Sequence, residues 1–191
     1  MRRLLAALLF SCAAVAAAAQ DTPAPPEPVP SEAATEAVPD VQYDPGLLPE
    51  RVRAMRDRIH AAAASGDPEQ LRPVIESNEM PPAFSFGDDT DPIADMIAGS
   101  VDGEGRETLA ILAEIMEAGY VHVDRGTPQE MFLWPYFARY PLERLSPPQL
   151  VEVFRIVTAA EYKEMLEFGA YNFYRVGIGP DGTWHFFIAG D

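Results

Sequence analysis

The three histidines are the side chains of this sequence best suited to acid–base catalysis or metal binding near neutral pH. They are His60, His122 and His185. A metal site needs several ligands at a defined spacing, and the chain contains neither an HxH nor an HExxH pattern. We therefore expect ordinary surface or half-buried histidines, with no bound metal and no other cofactor.

A group of aspartates could in principle bind calcium through its oxygens. Its members are Asp88, Asp89, Asp91, Asp95 and Asp102. The EF-hand order of ligands, with its glycine and final glutamate, is absent, and Asp91 and Asp102 are better explained as helix caps or turn residues. The chain also lacks a GxSxG nucleophile motif and a phosphate-binding glycine loop. The sequence thus identifies no catalytic residue.

The last twenty-one residues, YNFYRVGIGPDGTWHFFIAGD, contain the remaining candidate site. Two apolar runs flank Gly179-Pro180-Asp181-Gly182, which is typical of a hairpin with a type I turn and a glycine bulge. Side chains alternate along a strand, so the turn also predicts the pairing of the two strands. The predicted core-facing pairs are Ile178 with Trp184, Val176 with Phe186, and Tyr174 with Ile188.

The opposite face of this hairpin would carry Tyr171, Phe173, Arg175 and His185, followed by Phe187 and Ala189. The predicted pairing makes Arg175 and His185 diagonal neighbours, beside the space left by Gly177. Arginine binds a carboxylate or phosphate through its planar fork, histidine can hydrogen-bond or titrate, and the two aromatic residues would form apolar walls. If the domain has a ligand site, we expect it on this face. The alternative is an exposed sheet face on which Arg175 pairs with a surface carboxylate.

Helical patterns dominate the chain before this hairpin. Apolar spacing and end signals predict about six helices. They cover Leu48 to Ala62 and Glu104 to Ala118, and begin at Asp67-Pro68, Asp91-Pro92, Ser146-Pro147-Pro148 and the capping box Thr158 to Glu161. In the helix that begins at Ser146, Phe154 is expected to face inward. Tyr120 to Val123 and Met131 to Phe137 predict a second hairpin, in which Pro135 makes the second run an edge strand or bends it. The predicted fold class is α+β: about six helices packed on the Trp184 and Phe186 face of a small antiparallel sheet that ends in the C-terminal β-hairpin.

The N-terminal residues predict export. Arg2 and Arg3, the apolar run Leu4 to Phe10 and the small residues before Ala19 are typical of a signal peptide over residues 1–19. Leu9-Phe10-Ser11-Cys12 is the alternative, a lipobox with Cys12 as the lipidated residue. Residues 20–46, rich in Pro, Ala and Glu, predict a disordered linker, and residues 47–191 predict a single globular domain.

Charge limits the possible partners. The formal net charge is -16 over 191 residues, which argues against nucleic acid and anionic membrane surfaces, because both require Lys and Arg. No transmembrane helix is expected once the signal peptide is removed. The patterns favour a non-catalytic envelope protein, periplasmic or secreted, that binds an unknown protein partner or small molecule. A periplasmic hydrolase with an unrecognised acid–base site is the alternative.

Two resemblances add expectations. His60 to Leu71 (HAAAASGDPEQL) and Asp181 to Asp191 (DGTWHFFIAGD) resemble the opening helix pair and closing strands of the nuclear-transport-factor-like cone fold. This resemblance implies a pocket between a curved sheet and helices. From about Gly103 to the end, the stretches VDGEGRETLAILAEI, GTPQEMFLWPYFA and FYRVGIGPDGTWHFFIAGD resemble an uncharacterised family of exported bacterial proteins, which implies localisation only.

We expect the exported protein to be cleaved after Ala19, since the small residues there suit signal peptidase. Intact-mass spectrometry of protein purified from the envelope of an expressing bacterium checks this. A mature chain starting at Gln20 is the expected result, and a diacylglycerol-modified N-terminal Cys12 would establish the lipoprotein alternative instead.

Overall fold

The computed structural model describes residues 38–85 and 91–190. The predicted signal peptide, the linker up to residue 37, and Asp88 and Asp89 of the aspartate group lie outside these ranges. The two predicted cleavage or lipidation positions, Ala19 and Cys12, therefore stay predictions.

Six α-helices occur within the described ranges. They are α1 (Glu50–Ala64), α2 (Arg72–Ile75), α3 (Pro92–Gly99), α4 (Arg106–Glu117), α5 (Pro147–Val153) and α6 (Ala159–Phe168). Three predicted caps are present: the side chains of Asp67, Asp91 and Thr158 accept hydrogen bonds from the backbone N–H groups of the turns that they precede. Asp102 caps α4, because its two carboxylate oxygens accept the N–H groups of residues 104 to 107. These helix starts follow from local chemistry.

One four-stranded antiparallel sheet runs in the order β1-β2-β3-β4. Its strands are β1 (Val121–Val123), β2 (Met131–Trp134), β3 (Arg175–Ile178) and β4 (Trp184–Ile188). The last two form the C-terminal hairpin, and the turn has the predicted bonds, Gly179 N to Thr183 O and Gly182 N to Gly179 O, both 2.9 Å. The predicted α+β class, with helices on a small antiparallel sheet, is confirmed.

The helix-facing side of the sheet supplies much of the core. α1 and α4 contact each other and β3. Cross-strand partners share a face, so this side carries Phe132, Trp134, Val176, Ile178, Trp184 and Phe187, all buried. Burying large apolar side chains is the main favourable contribution to folding, and these six concentrate it at the centre of the sheet.

The predicted pairing of the last hairpin is wrong beyond its first pair. Ile178 does lie opposite Trp184, but Gly177 lies opposite Phe186 and Val176 opposite Phe187. β4 therefore contains one extra residue, His185, in a β-bulge, and each later side chain changes face. The helices pack on the face of Trp184 and Phe187, whereas Phe186 points to the other side.

Three further expectations need correction. Of the two alternatives for Pro135, the edge strand is wrong: β2 is an inner strand. Pro135 follows its last residue and precedes the 3₁₀ turn Tyr136–Arg139, so it removes no hydrogen bond from the ladder. The folded unit begins before Leu47, since Gln42 pairs with Tyr120 through two backbone hydrogen bonds of 2.9 and 2.8 Å. Phe154, expected to face inward from the helix at Ser146, is 45% exposed.

No described helix of this protein has both the length and the hydrophobicity that a bilayer span requires.

We expect Trp184→Ala to lower the free energy of unfolding by about 3–5 kcal/mol, as large-to-small changes in cores do. Trp184 is fully buried, contacts Phe84 edge-on and donates its indole N–H to the Phe186 carbonyl. Urea titration is the measurement. Phe168→Ala is the control, because Phe168 is 58% exposed and should change stability by less than about 0.5 kcal/mol. Equal effects of the two changes would contradict this account of the core.

Candidate functional site

A pocket lies on the face of the sheet that points away from the helices. Its volume is about 480 Å³. Val123, Met131, Leu133 and Phe186 form its apolar floor, and Ala138, Ala170 and Tyr171 add further apolar wall. The side chains of the floor come from β1, β2 and β4, so the pleat of the sheet positions them. We call this cavity the sheet-face pocket.

Two arginines line the sheet-face pocket. Arg175 is the first residue of β3 and is half-buried, and Arg139 ends the 3₁₀ turn Tyr136–Arg139 and is exposed. Within residues 38–85 and 91–190, the Arg139 side chain makes no hydrogen bond or ion pair. Asp124 is the only acidic residue among the described residues that line the pocket, and Gln129 adds an amide. The pocket therefore combines an apolar floor with a net positive lining.

Tyr171 fixes one wall of the pocket. Its side chain is 4% exposed and its hydroxyl donates a 2.9 Å hydrogen bond to the Tyr174 carbonyl. Burial raises the pKa of Tyr171 above its ordinary value, and the positive charge of Arg175 partly opposes that increase. Tyr171 thus stays a neutral phenol at physiological pH, with Arg175 close enough to act on it electrostatically.

The structure places only two of the four predicted site residues in this pocket, Arg175 and Tyr171. His185 is exposed in the bulge, and its ring covers Gly179 in the hairpin turn. Phe173 lines a different cavity, beside α4. The predicted diagonal contact between Arg175 and His185 depended on the pairing of the strands that the bulge changes.

The space beside Gly177, which was expected to be open to a ligand, is filled by other side chains. A side chain at this position would collide with the Met131 sulfur and the Phe186 ring. Gly177 therefore lets these two side chains close the floor of the pocket, and it leaves no room for a ligand group. Arg139 and Gln129 were missed by sequence reasoning, since nothing local indicates that they meet β3.

Two histidine–carboxylate pairs occur in the described part of the chain. His122 Nε2 lies 2.8 Å from Glu130 Oε1 and its ring stacks on Phe132 at 4.1 Å, while His60 Nε2 lies 3.2 Å from Glu117 Oε1. None of these four residues lines the sheet-face pocket. Among the described residues, no group of three or more His, Cys, Asp or Glu side chains is arranged to hold a metal ion.

Glu152 is a polar centre that the sequence did not single out. Its carboxylate accepts hydrogen bonds from the Gly119 N–H at 3.0 Å, the Tyr43 hydroxyl at 2.9 Å and the Tyr136 hydroxyl at 3.1 Å. A carboxylate with three donors is well satisfied, and these donors come from three separate segments. Its role is to join α5 to the segment before α1 and to the turn after β2.

Comparisons with known proteins give no further information on the site. A scan of protein-family models, a search of curated proteins and a search of solved structures found no match to this chain. The resemblances to the cone fold and to exported bacterial proteins therefore stay predictions.

Glu130 should make stability depend on pH. The Gly126 N–H and His122 both bond its carboxylate and lower the pKa of Glu130 below its ordinary value of 4.5. A carboxyl group whose pKa is lower in the folded than in the unfolded protein stabilises the fold at pH values above its unfolded-state pKa. That stabilisation is lost as the pH falls through the folded-state pKa. At neutral pH we expect the wild-type protein to have a larger free energy of unfolding than Glu130→Gln. The gap, which is the difference between these two free energies, should narrow below about pH 4.5.

Urea titrations of both proteins at neutral and acidic pH measure this gap. Glu164→Gln is the control for loss of one carboxylate, since Glu164 is exposed on α6. A gap between wild type and Glu130→Gln that is constant across this range would contradict the assignment.

Proposed function

We propose that this chain is an exported, non-catalytic envelope protein whose folded domain binds a small organic anion in the sheet-face pocket. One observation carries the proposal: two arginines line an apolar pocket in a chain of net charge -16. The general field of such a protein repels anions, so a local anion site requires basic residues gathered at one place.

The dimensions and composition of the pocket suit a small ligand. Its volume of about 480 Å³ lies within the range of small-molecule sites, which are mostly apolar with a few polar groups that orient the ligand. A guanidinium group keeps its charge at any physiological pH and matches the two oxygens of a carboxylate. The apolar part of the ligand would lie on Met131, Leu133 and Phe186. The class that fits best is a carboxylate with an apolar body.

Export is supported by the N-terminal pattern of residues 1–19, a charged start followed by an apolar run and small residues. It would place the domain in the cell envelope, where a protein without a reaction of its own can bind a small ligand or a partner.

A periplasmic hydrolase is the second candidate. The observation that favours it is the 2.8 Å contact between His122 and Glu130, a pair that could serve in acid–base catalysis. Neither residue lines the sheet-face pocket, whereas the two arginines do. Binding is therefore the better-supported proposal.

Benzoate is a suitable probe of the pocket, and benzyl alcohol is its uncharged counterpart. We expect benzoate to bind more tightly in calorimetric titration, because only the carboxylate can pair with guanidinium. Hydrogen bonds to charged groups contribute about 1.5–3 kcal/mol, and screening by solvent reduces this contribution at an exposed residue. Arg139→Gln should therefore raise the Kd for benzoate about three- to tenfold. Arg175→Gln tests the second arginine in the same way.

Arg53→Gln is the matched control. Arg53 is exposed on α1 and lies outside the pocket, so its loss changes the net charge equally without touching the site. Equal binding of benzoate by wild type, Arg139→Gln and Arg175→Gln, or equal binding of benzyl alcohol and benzoate, would overturn the anion proposal.

A further inference from the structure

A second cavity lies beside α4 and is independent of the sheet-face pocket. Its volume is about 520 Å³. One side is the outer surface of α4, and the opposite side is the segment of residues 154–158 with the start of α6. Phe173 and Tyr174, which precede β3, close a third side. We call this cavity the α4 groove.

Three aromatic residues line the α4 groove. Phe173 and Tyr174 meet edge to face, with ring centroids 5.2 Å apart. Tyr174 in turn stacks on the buried ring of Phe187 at 4.7 Å, so this wall is anchored to the sheet. Phe154 lines the groove from the other side. Its partial exposure, which the helical pattern did not predict, places an aromatic face where a ligand can reach it.

The charged residues of the groove are mostly acidic. In the part of the chain that the structure describes, Glu107, Glu114 and Glu161 line it against a single basic residue, Arg155. The Arg155 Nη2 atom lies 2.7 Å from Glu114 Oε2 and 2.9 Å from Glu117 Oε2, so nearby carboxylates already offset its charge. The groove therefore keeps a net negative lining, opposite in sign to that of the sheet-face pocket.

Two of the glutamates are held in place by backbone donors. Glu107 Oε2 accepts the Val101 N–H at 2.9 Å, and Glu161 Oε2 accepts the Thr158 N–H at 2.6 Å. Burial raises the pKa of Tyr174 and the negative charge of Glu107 adds to that increase. The charge of Glu107 thus acts on the aromatic wall itself.

We propose that the α4 groove binds a small organic cation, an ammonium group that carries an apolar or aromatic substituent. An ammonium is attracted both by carboxylates and by the faces of aromatic rings, and the groove offers both within one cavity. Ile111 and Val157 supply apolar surface for the substituent. The site differs from the sheet-face pocket in position and in sign of charge, so it does not rest on the anion proposal.

Binding of 2-phenylethylammonium, compared with the neutral 2-phenylethanol, tests this proposal on the full folded domain. Two-dimensional amide NMR spectra should show shifts at Ile111, Val157 and Tyr174 with the ammonium, and much weaker binding of the alcohol. Phe173→Leu should raise the Kd about two- to fivefold, which corresponds to the loss of one exposed cation–aromatic contact. Glu107→Gln should raise the Kd by a similar factor, because it removes one exposed carboxylate that would pair with the ammonium group.

Glu107→Gln should fold like wild type, since the amide oxygen of glutamine can still accept the hydrogen bond from the Val101 N–H. A change in Kd would then report on binding and not on folding. Glu164→Gln, which removes one charge outside the groove, is the matched control and should leave the Kd unchanged. The proposal is overturned if the alcohol binds as tightly as the ammonium. It is also overturned if Glu107→Gln and Glu164→Gln have equal effects, or if the shifted amides belong to the sheet-face pocket.

Discussion

The extra residue in β4 is the constraint on which both faces of the sheet depend. His185 has no partner in β3, so Phe187 faces the helices and Phe186 faces the other way. Phe187 packs in the core, and Phe186 covers Gly177 and completes the floor of the sheet-face pocket. Without the bulge the two phenylalanines would exchange faces. The bulge at His185 therefore determines both the packing of the core and the floor of the candidate anion site.

Features that are determined within a few residues could be predicted from the sequence. The helix caps at Asp67, Asp91 and Thr158 and the turn at Gly182 depend on a donor or a backbone angle next to the residue itself. The bulge could not be predicted, because no residue type indicates which position of an apolar run will be left without a partner in the neighbouring strand. The inner position of β2 was missed for a related reason: Pro135 excludes an inner strand only if it lies within the ladder, and it lies one residue beyond.

The candidate site was predictable only in part. Arg175 and Tyr171 belong to the same segment, and the alternation of that segment placed them near one another. Arg139 comes from a separate turn, and Phe154 reaches the α4 groove from a helix end, so both depend on tertiary packing that spacing along the chain does not encode. The acidic total likewise hides an uneven distribution: the charged residues that line one cavity are mainly arginines, and those that line the other are mainly glutamates.

The two outer strands of the sheet have a consequence for how this protein can meet other chains. Gln42 bonds to Tyr120 at one border, and Ala83 bonds to His185 and Phe187 at the other. Unpaired outer strands invite strand addition by peptides and growth into aggregates. Here each border meets a segment of the same chain at a single bridge, which an incoming strand would have to displace at that position. Backbone pairing with another chain is therefore hindered at these two positions, and side chains become the more accessible means of contact.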